Sequence, residues 1–120
     1  MGNPLPKPTY IGTIGELFVQ LRLLEYGVQA APPIKDSGND LIGIRGEVVK
    51  FIQVKTSQSK ITSVSRLPDI YHLVALVELE YSEVGELLLD KSKISILKKG
   101  DTISSKREMT NKVVNELWSE

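Results

Sequence analysis

The hydrophobic and polar positions of the chain predict a long helix near its beginning. Apolar residues recur at helical spacing from Thr13 to Tyr26, and Gly27 supplies a C-terminal stop. The apolar positions cover a wide arc and leave a polar gap only around Arg22 and Glu25. We therefore expect this helix to be packed on more than one side.

Short apolar segments after this helix predict several strands. Asp40–Arg45 and Val48–Lys55 flank Gly46 and predict a hairpin. The continuous apolar run Ile70–Leu79 predicts a buried central strand. Shorter strand candidates are Val28–Ala31 and Gly85–Leu89, and the pattern of Lys91–Leu97 is ambiguous.

The end of the chain predicts a second helix over Lys106–Trp118. Ser105 and Glu108 have the spacing of a capping box. Met109, Val113 and Leu117 then form one apolar stripe at helical spacing. An order of helix, several strands and helix predicts a layered α/β domain.

Length and composition favour one domain that spans 1–120, with a proline-spaced arm at 1–10. With no cysteine, the chain has no disulfide, thiolate metal site or thiol nucleophile, and a single histidine, His72, disfavours histidine-ligated zinc and a Ser-His-Asp triad. No apolar run approaches the ~20 residues of a membrane span, and the N-terminus lacks the apolar segment of a signal peptide. We expect a cytoplasmic protein without a membrane partner, whose chemistry depends on carboxylates, lysine and a hard metal ion.

Charge is balanced overall but unevenly distributed. Lys and Arg number 15, as do Asp and Glu, so bulk charge alone would not hold a nucleic acid. Residues 69–90 contain six acidic and no basic side chains, which predicts a solvated acidic face or, alternatively, a contact surface for a partner. Local basic patches are predicted instead of a uniformly basic face, at Lys7, Lys35, Lys50, Lys60, Arg66 and the Lys98/Lys99 pair.

Three features suggest a common chemical site. Glu16 lies within the apolar arc of the first helix, where a carboxylate must be paired, protonated or bound to a cation. Asp40 lies where the turn KDSGN meets a strand, although it could simply be a turn residue. Strand alternation places Gln53 and Lys55 on one face of the next strand.

The register of the hairpin decides whether Asp40 joins Gln53 and Lys55. A two-residue loop at Arg45-Gly46 would pair Asp40 with Phe51, a four-residue loop would pair it with Gln53, and both place it on the Gln53/Lys55 face. A three-residue loop would place it on the opposite face, because a shift by one residue turns every side chain over. The sequence leaves these registers open.

The segments GELFVQLRLLEYG, SGNDLIGI and FIQVKTSQS resemble the PD-(D/E)XK nuclease superfamily, including its Holliday-junction resolvase-like and homing-endonuclease-like branches. The resemblance covers residues 12–60. It implies a restriction-endonuclease-like fold, in which helices flank a central mixed β-sheet with an α-β-β-β-α-β core. It also implies a Mg²⁺- or Mn²⁺-dependent DNA endonuclease. Site roles follow residue by residue: Asp40 and Glu16 as metal ligands and catalytic acids, the carbonyl of Val54 as a further metal ligand, Gln53 in the acidic position and Lys55 as the catalytic lysine.

Two departures from the family pattern matter. Gly38-Asn39-Asp40 stands where the family has Pro-Asp, and Gln53 is a neutral amide, which is a poorer ligand for a hard cation than a carboxylate. Glu16 is therefore expected to supply the negative charge that the metal site lacks at Gln53. A catalytically degenerate nucleic-acid-binding or protein-interaction module on the same fold is the alternative reading.

DNA, duplex or branched, is the implied partner, and cleavage of two strands favours a homodimer or higher homo-oligomer. Ser57 and Lys60 follow the motif and are candidates for contacts with DNA phosphate, although a polar loop explains them equally well. His72 is expected to be a hydrogen-bonded histidine of the core or its rim, and Trp118 to be part of the core or a subunit contact.

Overall fold

The structure is a computed structural model that describes residues 7–34, 40–65, 67 and 70–119. Helix α1 (Lys7–Glu25) precedes all the strands, and helix α2 (Asn111–Leu117) follows them after a 3₁₀ turn at Ile103–Ser105. The strands are β1 (Gln29–Ala31), β2 (Leu41–Arg45), β3 (Val48–Ser57), β4 (Leu73–Glu78), β5 (Lys93–Lys98) and β6 (Arg107–Glu108).

These strands form one six-stranded sheet in the order β1-β2-β3-β4-β5-β6. β3 and β4 are parallel, and every other neighbouring pair is antiparallel. The α/β class with a mixed sheet is thus confirmed. The element order differs from the expected core, because the described part of the crossover between β3 and β4 is a loop instead of a helix. Its many Ser and Thr side chains compete for backbone hydrogen bonds and disfavour a helix there.

The two faces of the sheet are covered differently. Both helices pack on one face, where Phe18 and Val19 of α1 and Val114 and Leu117 of α2 join the main core. Among the described residues, the opposite face is covered without an α-helix: Val74, Leu76 and Leu97 pack against Ile61, Val64, Leu67, Tyr71 and Ile103. Across the described ranges, no helix is both long enough and apolar enough to cross a membrane.

The ends of both helices differ from their predicted positions. α1 begins at Lys7, so the predicted arm at 1–10 is wrong for residues 7–10, while residues 1–6 lie outside the described residues. Pro8 is tolerated because the first turn of a helix needs no N–H from it. α2 begins only at Asn111, after Thr110, whose side chain accepts a hydrogen bond from the Val113 N–H at 3.2 Å.

The capping box predicted at Ser105 is wrong, because the residues after it belong to the sheet. Ser105 ends the 3₁₀ turn, and Arg107–Glu108 pair with β5 as the edge strand β6. The strand predicted at Gly85–Leu89 is likewise reduced to an isolated bridge between Tyr81 and Leu87. The central strand, predicted over Ile70–Leu79, spans the shorter Leu73–Glu78 and is almost wholly buried.

Trp118 belongs to the core, as expected. It is 2% exposed, and its Nε1–H donates a hydrogen bond to the Gly43 carbonyl at 3.1 Å. A Cβ atom at Gly43 would lie 2.7 Å from Trp118 Cζ2. The absence of a side chain at this position in β2 therefore lets the indole pack onto the sheet.

Gly15 sets the distance between α1 and β3. A Cβ atom at this position would lie 1.8 Å from Thr56 Oγ1 and 2.8 Å from Thr56 Cβ. The helix backbone thus rests directly on the Thr56 side chain. Because Glu16 is the next residue, this contact also fixes the height of Glu16 above the sheet.

We expect Gly15→Ala to destabilise the protein by about 1–3 kcal/mol, because the added methyl group overpacks the helix–sheet contact. Gly12→Ala is the matched control in the same helix, since a Cβ there meets nothing within 4 Å. It should stabilise by about 0.5–1 kcal/mol through helix propensity. Urea denaturation of both variants measures the difference, and equal free energies of unfolding would contradict the packing.

Candidate functional site

The hairpin register places Asp40 on the same face as Gln53. Leu41 pairs with Ile52 and Arg45 with Val48, so Asp40 comes opposite Gln53. This is the pairing predicted for a four-residue loop. The turn is shorter, however, and contains only Gly46 and Glu47, with Gly46 at a φ of 61° that favours glycine.

Three hydrogen bonds fix Asp40 at the beginning of β2. Its Oδ2 accepts the Gln53 Nε2–H at 2.9 Å and the Val54 backbone N–H at 2.8 Å. Its own backbone N–H donates to the Ile52 carbonyl at 3.1 Å. Because groups of β3 hold both its backbone and its side chain, this carboxylate has a defined position before any ligand arrives.

Within the described part of the chain, the side-chain amide of Gln53 makes a hydrogen bond through its nitrogen but not through its oxygen. Its Nε2 donates to Asp40, whereas Oε1 is buried and has no hydrogen-bond partner among the described residues. A buried polar oxygen without a partner costs about 1–3 kcal/mol. A cation or water next to Asp40 would satisfy it, and carbonyl-type oxygens are suitable ligands for hard cations.

The Val54 carbonyl faces the same side of β3. Ile52 O and Val54 N–H both bond to Asp40, and alternate residues of a strand direct their N–H and C=O groups toward the same neighbour. The carbonyl of Val54 therefore points toward the β2 side of β3, beyond the first residue of β2. This direction is compatible with its predicted role as a metal ligand.

Glu16 reaches the cluster from α1. Partial burial raises the pKa of its carboxyl above the usual value of 4.5, and the negative charge of Asp40 raises it further. Two neighbouring carboxylates and a partly desolvated site favour either a proton or a bound cation.

Lys55 lies two residues beyond Gln53 on the same face of β3, a spacing of about 7 Å. It lines a groove of about 570 Å³ together with Ser57 and Lys60. The Ser57 hydroxyl accepts a hydrogen bond from the Ser59 N–H at 3.0 Å, which shapes the beginning of the loop.

The expected site residues thus form two adjoining groups. Asp40, Gln53 and Val54 are in direct contact, and Glu16 is coupled to Asp40 by charge. Lys55, Ser57 and Lys60 instead share the neighbouring groove. Within the described ranges, no three His, Cys, Asp or Glu side chains converge as a metal site. A cation here would therefore depend on two carboxylates supplemented by amide and carbonyl oxygens.

The sequence reasoning missed Gly15 and Thr56, which hold the Glu16 backbone against β3. The Thr56 hydroxyl is buried without a hydrogen-bond partner among the described atoms. A glycine inside a helical pattern was the only sequence signal for this contact. His72 is exposed at the rim, where its Nδ1 accepts the Phe51 N–H at 2.8 Å, in agreement with a hydrogen-bonded rim histidine.

Comparison with known proteins finds a likeness in fold. No family model matches the sequence, and no curated protein matches it. The fold is similar to the solved structure of a bacterial homing endonuclease, I-Ssp6803I, with a TM-score of 0.56 and 16% sequence identity. The match covers 88% of this chain and 79% of the endonuclease. At this identity the likeness establishes the fold.

Substitution of Glu16 by Gln should stabilise the metal-free protein at neutral pH. Because the folded pKa of Glu16 lies above 4.5, the folded state holds this proton more tightly than the unfolded state. Its contribution to stability is complete below pH 4.5 and is lost as pH rises through the raised pKa. Thermal unfolding should give similar Tm values for wild type and Glu16→Gln at pH 4 and a higher Tm for the variant at pH 7. The reverse order at pH 7 would show that the ionised Glu16 is stabilised instead.

Proposed function

We propose that this chain is a Mg²⁺- or Mn²⁺-dependent DNA endonuclease that hydrolyses phosphodiester bonds. The observation that carries the proposal is the prepositioned Asp40 carboxylate, with Gln53 Oε1 beside it, for which the described residues offer no hydrogen-bond partner. The charge coupling of Glu16 to Asp40 and the fold shared with a homing endonuclease support it.

Four oxygen donors would hold the cation: the carboxylates of Asp40 and Glu16, the Gln53 Oε1 and the Val54 carbonyl. All are hard ligands of the kind that Mg²⁺ and Mn²⁺ prefer. The bound cation would offset the negative charge that develops on the phosphate during hydrolysis.

Lys55 supplies the remaining chemistry. Its Nζ orients the attacking water, accepts or shares its proton, and places positive charge beside the phosphate. Ser57 and Lys60 line the same groove and bind the neighbouring phosphates of the strand. The substrate thus runs from the Asp40 cluster into the groove at the end of β3.

The balanced charge of the chain fits local contacts of this kind better than a uniformly basic surface. One site cuts one strand at a time. Cleavage of both strands of a duplex or a junction therefore favours a homodimer or a higher homo-oligomer.

Metal binding should be measurable without any substrate. A ligand at 100 times its Kd stabilises a protein by about 2.7 kcal/mol, so Mn²⁺ should raise the Tm of wild type and leave that of Asp40→Asn unchanged. Gln53→Glu should bind Mn²⁺ more tightly, because it adds a carboxylate, yet be less stable without metal, because it cannot donate to Asp40. Asp90→Asn is the control, an exposed carboxylate in another loop that should respond like wild type. An equal shift in Asp40→Asn would place the metal elsewhere.

Cleavage should require Asp40 and Lys55 together with the metal. Labelled linear, branched and supercoiled DNA incubated with Mg²⁺ or Mn²⁺ should be cut by wild type, and Asp40→Ala and Lys55→Ala should be slower by about 10²–10⁴-fold. Lys55→Ala should still bind Mn²⁺, since it is not a ligand. Lys91→Ala, at an exposed position away from the groove, should cut like wild type.

Two experimental outcomes would contradict the proposed site or the proposed function. Equal cutting by wild type, Asp40→Ala and Lys55→Ala would reject the assigned site. DNA binding without metal binding or cleavage would establish the degenerate binding module, in which the neutral Gln53 marks the loss of the metal site.

A further inference from the structure

The edge of the sheet at the beginning of β4 holds an imidazole in one orientation. His72 is the single histidine of the chain, and it is exposed. Its Nδ1 accepts the Phe51 N–H at 2.8 Å, and its own backbone N–H donates to the Phe51 carbonyl at 2.8 Å. The two rings also lie against each other, with their centroids 5.2 Å apart. These contacts with one residue of β3 fix the position of the imidazole.

The same contacts determine which ring nitrogen of His72 carries the proton. A backbone N–H is always a donor, so Nδ1 is the acceptor and the neutral ring carries its proton on Nε2. Nε2 lies on the far side of the ring from the Phe51 backbone. Because His72 is exposed, its Nε2–H is directed toward solvent as a hydrogen-bond donor of fixed direction.

A lysine lies next to this donor. The Lys99 backbone N–H donates to the His72 carbonyl at 3.0 Å, so the two residues are neighbours at the ends of β4 and β5. The Lys99 Nζ lies 5.1 Å from the centroid of the Tyr71 ring, and Tyr71 packs on the sheet face opposite the helices. The ammonium group is therefore held on that face. Within the 98–101 turn, two lysines outweigh one aspartate, which gives the turn a net positive charge.

This edge adjoins the candidate metal site. Phe51 precedes Gln53 by two residues in β3, so their side chains share a face at a spacing of about 7 Å. The groove of the proposed substrate path lies in the opposite direction, since Lys55 follows Gln53 and lines that groove together with Lys60. The Asp40 cluster thus lies between two places that offer nitrogen donors to a ligand.

We propose that His72 and Lys99, which we call the rim pair, bind a backbone phosphate of the substrate strand on the side of the metal site opposite the Lys60 groove. An outward N–H and an ammonium group are donors that proteins commonly direct at phosphate oxygens. A strand held on both sides keeps its reacting bond over the Asp40 cluster. This contact rests on the proposed function, because it extends the path of the same strand.

The first test separates the two roles of the His72 ring. In His72→Asn, Oδ1 lies as many bonds from Cα as Nδ1 does and still accepts the Phe51 N–H, but no atom reaches the position of Nε2. The Tm should therefore match that of wild type. The Kd for a labelled DNA duplex, measured by fluorescence anisotropy in EDTA, should rise about tenfold, as expected for the loss of one hydrogen bond to a charged group. An unchanged Kd, or a wild type that does not bind, overturns the proposal.

The second test measures the contribution of the Lys99 charge. The slope of log Kd against log salt concentration counts the phosphates that cations neutralise, so Lys99→Ala should reduce its magnitude by about one. His72→Asn should leave the slope unchanged, because a neutral N–H donor neutralises no phosphate. Lys91→Ala is the matched control, since it removes the same charge from an exposed position before β5 and should keep the wild-type slope. Equal slopes for the two lysine variants would remove Lys99 from the rim pair.

The third test needs no variant. As the only histidine, His72 gives one set of imidazole signals in NMR spectra, and the ¹⁵N shifts report which nitrogen carries the proton. The free protein should show the Nε2–H ring, and the DNA duplex should shift its Nε2 signal. A ring protonated on Nδ1, or an Nε2 signal that does not move with saturating DNA, contradicts the proposed contact.

All three measurements are made without a divalent cation, so they report binding and not cleavage. A protein that binds DNA through the rim pair but neither binds Mn²⁺ nor cuts DNA would refute the proposed nuclease and keep this contact. A nuclease whose His72→Asn variant binds DNA like wild type would keep the proposed function and refute the contact.

Discussion

The candidate site depends on one carboxylate, at the beginning of β2, that groups of β3 hold in place. Asp40 accepts hydrogen bonds from the Gln53 side chain and the Val54 backbone, so its position follows from the β2–β3 register instead of from a flexible turn. A shift of that register by one residue would turn Asp40 away from both partners. The pairing of a short hairpin is therefore also the step that assembles the site. Hydrogen-bond donors from both a side chain and the backbone make this carboxylate ready for a cation before one binds.

Helix α1 contributes to the same site through its packing contact with β3. Gly15 lets α1 rest on Thr56, and in the adjoining position the pKa of Glu16 is raised by partial burial and, to a smaller extent, by the charge of Asp40. Glu16 comes from the helix that covers one face of the sheet, whereas Gln53 and Lys55 lie on the other face. The cluster consequently forms at the end of the β2–β3 pair, where groups from both layers can meet. This contact affects both the stability of the protein and the geometry of the site, because a displacement of α1 from the sheet also moves Glu16.

The sequence predicted those parts of the structure that depend on local pattern. The first helix, the hairpin and the central strand all came from periodicity and turn residues, and strand alternation placed Asp40 with Gln53 in two of three possible registers. The second helix was predicted too early, because Arg107–Glu108 join β5 through a long-range pairing that leaves no local signature. The hydrogen bonds of Asp40, and the lack of a partner for Gln53 Oε1 in the described part of the chain, likewise required coordinates. Whether these residues act on DNA is a question of chemistry that neither periodicity nor fold decides.

The crossover between β3 and β4 carries a consequence for how this fold could diversify. Parallel neighbours are usually joined through a helix that packs on the sheet, which ties the length of the connection to the core. Here the described part of the connection is a loop that leaves β3 after Ser57 and covers the sheet face through apolar side chains such as Ile61 and Val64, without helical packing. Its polar positions, unlike the apolar ones that pack on Val74, Leu76 and Leu97, can change without altering any strand pairing. New substrate preferences could therefore arise by insertions in this segment while the Asp40 cluster below it stays constant.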